Sequence, residues 1–449
     1  MINTKMKSEV PVIHIGIFSA PEISFTLSSI FLDKNGEEIA GSWKARFADE
    51  EILLESENGK IMTETDILLS PLSADSIFTI KAVTIGVNFH WQRKEDQIFK
   101  GSLKFIIESK AVTAVNIISI EDYLVSVISS EMSATSSMEL LKAHAVVSRS
   151  WLLAQMEKSK SFHIEGGKYE SFFRTENEIV RWYDREDHLN FDVCADDHCQ
   201  RYQGITRASS PIVKQVIAET FGEVLTYEDV VCDSRYYKCC GGVTELFENV
   251  WEPVNHPYLQ KVIDNPLPPE GFNMQLDEKE NARNWIMGNP RAFCNTSDKK
   301  VLKEVLNDYD QETNDFYRWV VKYSQTELSE LIKVRTGIDF GIVINLVPIE
   351  RGVSGRIVRL KIEGTKKTMI IGKELEIRKA LSKTHLYSSC FTVEKKENNK
   401  DTFFVIHGAG WGHGVGLCQI GAAVMGAKGY SYHKILEHYF KDTLLKKIY

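Results

Sequence analysis

The chain has 449 residues, 43% hydrophobic and 26% charged, the balance of a soluble globular protein with core enough for about two or three domains. Its 62 acidic and 54 basic residues leave a net charge of −8, which argues against nucleic acid as the main partner. No apolar run reaches the ~18 residues of a transmembrane helix. The N-terminus lacks the apolar stretch of a signal peptide, so the chain as written is expected to be cytoplasmic.

Residues 10–116 read as β-rich. Segments 12–17 and 77–80 carry the alternation and β-branching of strands. Asp33-Lys34-Asn35-Gly36 and Ser56-Glu57-Asn58-Gly59 supply Asn-Gly turns, and 103–107 with 112–116 predict another strand pair. Two helices follow. Ile120, Tyr123, Leu124, Val127 and Ile128 form an apolar stripe behind Ser119 as N-cap. Ser136 and Glu139 form a capping box for a second helix running to about Gln155. Residues 161–210 are polar, aromatic and irregular, and 211–262 predict short strands around Cys239-Cys240-Gly241-Gly242. The stretch 265–335 is Pro-rich and then helix-like at 300–307 and 316–333, the texture of an inserted helical subdomain. Strands resume from 340, and an amphipathic helix at 432–440 closes the chain. The expected fold class is α+β. A β-rich N-terminal region covers 1–99, a mixed core 100–264, the mainly helical insertion 265–339, and the rest of the core 340–449.

Five of the eight cysteines cluster at 194, 199, 232, 239 and 240, while Cys294, Cys390 and Cys418 are scattered. A small disulfide scaffold spaces its cysteines more evenly, so metal ligation or plain thiols fit better. His188, Cys194, His198 and Cys199 make a closed tetrahedral zinc set, two imidazoles and two thiolates, with no open position for water activation. Cys232, Cys239 and Cys240 stand as alternative ligands, and free thiols or a Cys194–Cys199 disulfide remain open.

The densest signal lies near the end, where His407-Gly408-Ala409-Gly410-Trp411-Gly412-His413-Gly414-Val415-Gly416-Leu417-Cys418-Gln419-Ile420-Gly421 places six glycines in fifteen residues. Glycine persists where the backbone takes φ > 0 or lies against something. A phosphate-binding turn is excluded, because Leu417 breaks G-x-G-x-x-G and no βαβ unit surrounds it. A thiol nucleophile at Cys418 with His413 is weak on motif grounds.

Residues 412–422 resemble the hallmark of the stage II sporulation protein D / LytB family. Further resemblance runs in the same order through Lys100-Gly101-Ser102-Leu103, Ile120-Glu121-Asp122-Tyr123-Leu124, Ser130-Glu131-Met132, Ala143-His144-Ala145-Val146-Val147-Ser148-Arg149-Ser150, Ser354-Gly355-Arg356 and Glu376-Ile377-Arg378. The resemblance implies a peptidoglycan-directed protein. It is either a lytic transglycosylase that leaves 1,6-anhydro-muramyl ends on peptide-denuded glycan, or a non-catalytic enhancer of a cell-wall amidase. It also implies the cell envelope, although no leader is visible.

From the resemblance, Glu131 is the expected acid and then base. Ser133 departs from the family's usual Pro after Glu-Met, and His144 replaces its usual Gln. Lys142 and Arg149 share a helix face and match cleft positions that bind sugar and hold Glu131. Tyr237 lies in another matching cleft segment, though Cys239 and Cys240 stand where the family has small hydroxyl residues. Trp411, His413 and Gln419 are expected to face the same cleft, with Trp411 stacking on a pyranose. Some family members carry zinc at a cluster matching His188, Cys194, His198 and Cys199, in a structural role.

Overall fold

Alternation decides the first strands. In Val12–Ala20, Ile13 and Ile15 are fully buried while Val12 and His14 are not. In this computed structural model, residues 9–86, 92–133, 136–165, 171–182, 188–196, 199–206, 210–305, 315–398 and 401–449 are described, without the side chains of 160–165 and 304. Val12–Ala20 pairs antiparallel with Ala111–Ser119, and that strand pairs with Ser102–Glu108. The sheet continues through Ile67–Pro71, Glu22–Leu32, Glu38–Ala48, Glu51–Ser56 and Ile61–Glu64. A hairpin of Ile77–Ile85 and Arg93–Lys100 leans on Glu22–Leu32. The Asp33 turn forms as the residues suggest: the Asp33 carboxylate accepts from the Asn35 and Glu37 amides at 2.9 and 2.8 Å. One sheet thus spans residue 100. Gly101 makes that passage at φ 80°, where a Cβ would lie 2.3 Å from the Ile117 carbonyl oxygen.

Helix α1 (Ile120–Glu131) starts under Ser119, whose Oγ accepts from the Asp122 amide at 3.1 Å. Helix α2 (Met138–Glu165) runs ten residues past the expected end. Its start differs from the expected box. Ser137 Oγ accepts from Leu140 N at 3.3 Å, and the Glu139 carboxylate instead takes the Tyr432 amide at 2.6 Å. Residues 143–150 of α2 are all buried, its polar positions included. Arg149, fully buried, must therefore be paired. It forks onto Glu121 at 2.8 and 2.7 Å, and its third nitrogen donates to the Glu223 carbonyl at 3.1 Å. The Tyr449 hydroxyl donates to the same carboxylate.

Helix α3 (Pro211–Glu219) corrects the expectation of strands alone in 211–262. Proline opens it, and Val213, Val216 and Ile217 give it a buried stripe. Helices α4 (Lys279–Met287) and α5 (Lys299–Val305) lie in the first half of the insertion. The expected helix at 316–333 divides. Arg318–Ser324, rich in β-branched and aromatic residues, pairs with Asp401–Ala409 as a strand. Ser324 then caps α6 (Gln325–Thr336), which ends at Gly337 with φ 70°.

Two larger cores result. The first joins the large sheet to α1, α2, α3, α8 (Gln419–Ala427) and α9 (Tyr432–Tyr439). The second packs α6 and α7 (Glu374–Ala380) on the sheets containing Val343–Arg351, Ile357–Gly364, Thr368–Gly372 and Asp401–Ala409. Leu328, Ile332, Ile357, Ile362, Ile377 and Phe404 are fully buried there. The whole is α+β. Among the described residues, no helix is long and apolar enough to cross a membrane.

Removing Arg149 would leave Glu121 as a buried, unpaired carboxylate. We expect Arg149→Ala to lower unfolding free energy by about 3–5 kcal/mol, read by urea denaturation. A loss under ~1 kcal/mol would contradict the structural assignment of this pair.

Candidate functional site

The glycine-rich segment is zipped against residues 235–242. Trp411 and Cys239 exchange backbone hydrogen bonds at 2.7 and 3.0 Å, and Tyr236–Tyr237 pairs in parallel with Leu417–Cys418. Two glycines make this possible. At Gly410 (φ 77°) a Cβ would sit 2.8 Å from the Cys239 carbonyl oxygen, and at Gly416 (φ 83°) 2.2 Å from that of Arg235. Buried Arg356 pins the assembly, donating to the carbonyls of Gly412 at 3.2 Å and Cys240 at 3.4 Å.

The polar residues of this segment are tied to one another. His413 accepts from Val415 N at Nδ1 (3.1 Å), so its Nε2–H donates to the Tyr236 carbonyl at 2.9 Å. Burial, and then the Arg235 guanidinium, hold its imidazole well below the usual range. With both nitrogens engaged, it is a poor proton shuttle. The Tyr237 ring lies 5.0 Å from the His413 ring. The Gln419 amide nitrogen is 3.2 Å from His144 Nε2, and His144 Nδ1 is 3.3 Å from Ser148 Oγ. Trp411 is half-buried and stacks on Tyr387 at 4.2 Å, with Phe316 at 4.8 Å.

Glu131 is the last residue of α1, half-buried, and its Oε1 accepts from the Arg201 amide at 3.1 Å. The loop that supplies this donor is held on several sides. Gln203 N donates to Ser126 Oγ at 3.1 Å, the Tyr123 hydroxyl to Gln200 Oε1 at 3.2 Å, and Tyr202 N to the Ala195 carbonyl at 3.0 Å. The same loop begins at Cys199. Cys199 Sγ is 3.5 Å from His188 Nε2 and accepts from Cys194 N at 3.4 Å. The ligand atoms of His188, Cys194 and Cys199 all lie within 4.8 Å of one another. Three of the four expected zinc ligands thus converge, and the fourth, His198, lies outside the described residues. Cys232, Cys239 and Cys240, the alternative ligands, belong to other surroundings, buried in the first core.

The residues expected to share a cleft with Glu131 fall into separate settings. Lys142 ion-pairs with Glu219 at 2.6 Å, which raises its pKa. Arg149 grips Glu121, ten positions and so about 15 Å along α1 from Glu131. Tyr237, His413, Gln419 and His144 form one linked group through Tyr236, whose ring lies 4.3 Å from that of His144. Sequence reasoning missed Arg201 and Tyr202, since a backbone donor leaves no mark on residue type, and Gln200, whose side chain meets the Tyr123 hydroxyl across 77 positions.

The chain is similar to several known proteins. Residues 108–227 match a family model described as "Stage II sporulation protein". Residues 245–416 match one described as a domain of unknown function (DUF8618). An uncharacterized protein of Brachyspira hyodysenteriae is 28% identical over 345 residues, 77% of this chain and 71% of that protein. The stage II sporulation protein D of Bacillus subtilis is 24% identical over 74% of this chain and 75% of its own length. The amidase enhancer of Bacillus subtilis is 24% identical over 71% of this chain, which spans 39% of that protein.

Burial, then nearby Lys238, lowers the His144 pKa to about 3 from an ordinary 6.5. Between those values the unfolded chain takes up a proton that the folded chain refuses. The contribution is therefore whole above pH 6.5 and lost as pH falls. His144→Gln keeps bonding capacity toward Gln419 and Ser148. Between pH 7 and pH 5 it should lose about 2 kcal/mol less stability than the parent in urea unfolding. Equal losses would show that His144 is not held neutral.

Proposed function

We propose, on the premise that this chain belongs to the stage II sporulation protein D family, that it is a peptidoglycan lytic transglycosylase with Glu131 as its acid and base. Its substrate is the glycan strand, in peptide-denuded form, cleaved between N-acetylmuramic acid and N-acetylglucosamine. The observation that carries the reading is the setting of Glu131 at the end of α1 beneath the Arg201 amide. The carboxyl thus stands at a helix end, half-buried, with one oxygen bonded to a backbone N–H.

The chemistry follows from one carboxyl group. Glu131 protonates the glycosidic oxygen, the C1–O bond breaks, and positive charge spreads over the muramyl ring. The resulting carboxylate takes the proton of the muramyl C6 hydroxyl as that oxygen bonds to C1. The product is a 1,6-anhydro end, with no water consumed and the enzyme restored. Within this reading zinc is structural. His188, Cys194 and Cys199, with His198 as the expected fourth ligand, would hold it, and the loop from Cys199 to Gln203 then presents the Arg201 amide to Glu131.

A second reading rests on similarity to the amidase enhancer. There the chain binds glycan and recruits a cell-wall amidase without cleaving anything. Mass spectrometry of products from denuded glycan separates the two. Anhydro-muramyl ends are expected from the full chain, and Glu131→Gln should reduce them by about 10²–10⁴-fold while the circular dichroism spectrum is unchanged. Glycan pull-down without product, undiminished in Glu131→Gln, would establish the binding role instead.

Cys194→Ser/Cys199→Ser should abolish the zinc of this cluster and lower turnover, because the loop that seats Glu131 loses its anchor. Turnover that survives loss of the metal would detach the loop from the chemistry.

A further inference from the structure

Along the sequence Cys240 belongs to the cysteine cluster of 194–240, whereas Asp264, Cys294 and Cys418 stand apart from it and from one another. The fold brings the four together. Their thiol sulfurs and a carboxylate oxygen all lie within 4.8 Å of one another, and all four residues are buried. Cys240 Sγ and Cys294 Sγ are 3.3 Å apart, well beyond the ~2.05 Å of a disulfide. Zinc–sulfur bonds of about 2.3 Å at tetrahedral angles hold sulfurs about 3.8 Å apart, a small adjustment from this spacing.

The carboxylate supplies the second, independent observation. Asp264 is fully buried, and among the described residues no Lys or Arg ion-pairs with it. His438 Nε2 lies 4.0 Å from its Oδ1. It accepts from Cys294 N at 2.8 Å and from the Tyr439 hydroxyl at 2.6 Å, neutral donors that orient a carboxylate without balancing its charge. A buried carboxylate among three buried thiols, lacking a full cationic partner, is the setting a divalent cation completes. Soft thiolates select zinc over harder ions.

The surroundings fit closed coordination. Cys240 N donates to Cys418 Sγ, and Gly242 N to Cys240 Sγ, both at 3.2 Å, the outer bonds that metal thiolates commonly receive. Cys418 is the N-cap of α8, at the positive end of a nine-residue helix. Gly421, in the first turn of α8, leaves room for the carboxylate, since a Cβ there would lie 2.5 Å from Asp264 Oδ1.

We propose that Cys240, Asp264, Cys294 and Cys418 form a second, buried zinc site that fastens residues 264–294 to the glycine-rich segment. It is distinct from the His188, Cys194 and Cys199 cluster and independent of the transglycosylase reading. Four protein ligands close the site, so its zinc is structural and does not activate water.

The test counts metal. The full chain and its Cys194→Ser/Cys199→Ser variant are purified with added zinc under reducing conditions and analysed by elemental mass spectrometry. About one zinc per chain should remain in the double variant and disappear when Cys240→Ser and Cys294→Ser are added. Cobalt substituted into the double variant should give the intense visible bands of a tetrahedral thiolate site. If that background is insoluble, loss of about one zinc from the otherwise unaltered chain on Cys240→Ser reads the same site. A metal-free, folded double variant would overturn the proposal. So would a Cys240–Cys294 disulfide found by non-reducing peptide mapping of the unaltered chain.

Discussion

Everything around the candidate site depends on one close approach of two backbones. Residues 235–242 and 410–418 run side by side at hydrogen-bonding distance, with Gly410 against Gly241 and Gly416 against Arg235. Side chains at those glycines would force the strands apart by more than any packing there could repay. From that contact follow the seating of His413 on Tyr236, the placing of Gln419 beside His144, and the position of α8. Most of the glycines that mark the segment therefore serve the architecture. The residue proposed to act on substrate stands elsewhere, at the end of α1.

How much of this was legible in the sequence depended on the kind of force involved. Local signals read well. The β alternation of Val12–Ala20, the Asp33 turn, the Ser119 cap and the amphipathic Tyr432–Tyr439 helix are near-neighbour patterns, and each forms as its residues suggest. The stretch at 316–333 misled because Arg318–Ser324 carries enough polar residues to pass for one face of a helix. Its pairing with Asp401–Ala409 is a contact across the chain. Pro211 and the spacing of Val213, Val216 and Ile217 are local signals for α3 that the expectation of strands over 211–262 did not use.

The site was legible in part for the same reason. His188, Cys194 and Cys199 are close in sequence and converge in space. Arg149 had an apolar neighbourhood that demanded a partner, but nothing in the spacing distinguished Glu121 from Glu131 as that partner. The buried fork to Glu121 makes Arg149 a framework residue. Lys142, drawn to Glu219, lies in a different charge setting from the one its helix face suggested. The convergence of Cys240, Asp264, Cys294 and Cys418 spans 178 positions and follows from topology alone.

The strand Asp401–Ala409 also joins the two larger cores. Phe404 and Ile406 are sealed in the second, while Val415, Leu417 and Cys418 are sealed in the first, with Gly410 at the crossing. A connection this short has no slack. Separating the layers would tear the Trp411–Cys239 bridge, and loosening that bridge would release an inner strand of the second core. The two cores are thereby expected to melt as one cooperative unit, so a disturbance in the distal layer is felt as altered backbone order beside Tyr236 and His413.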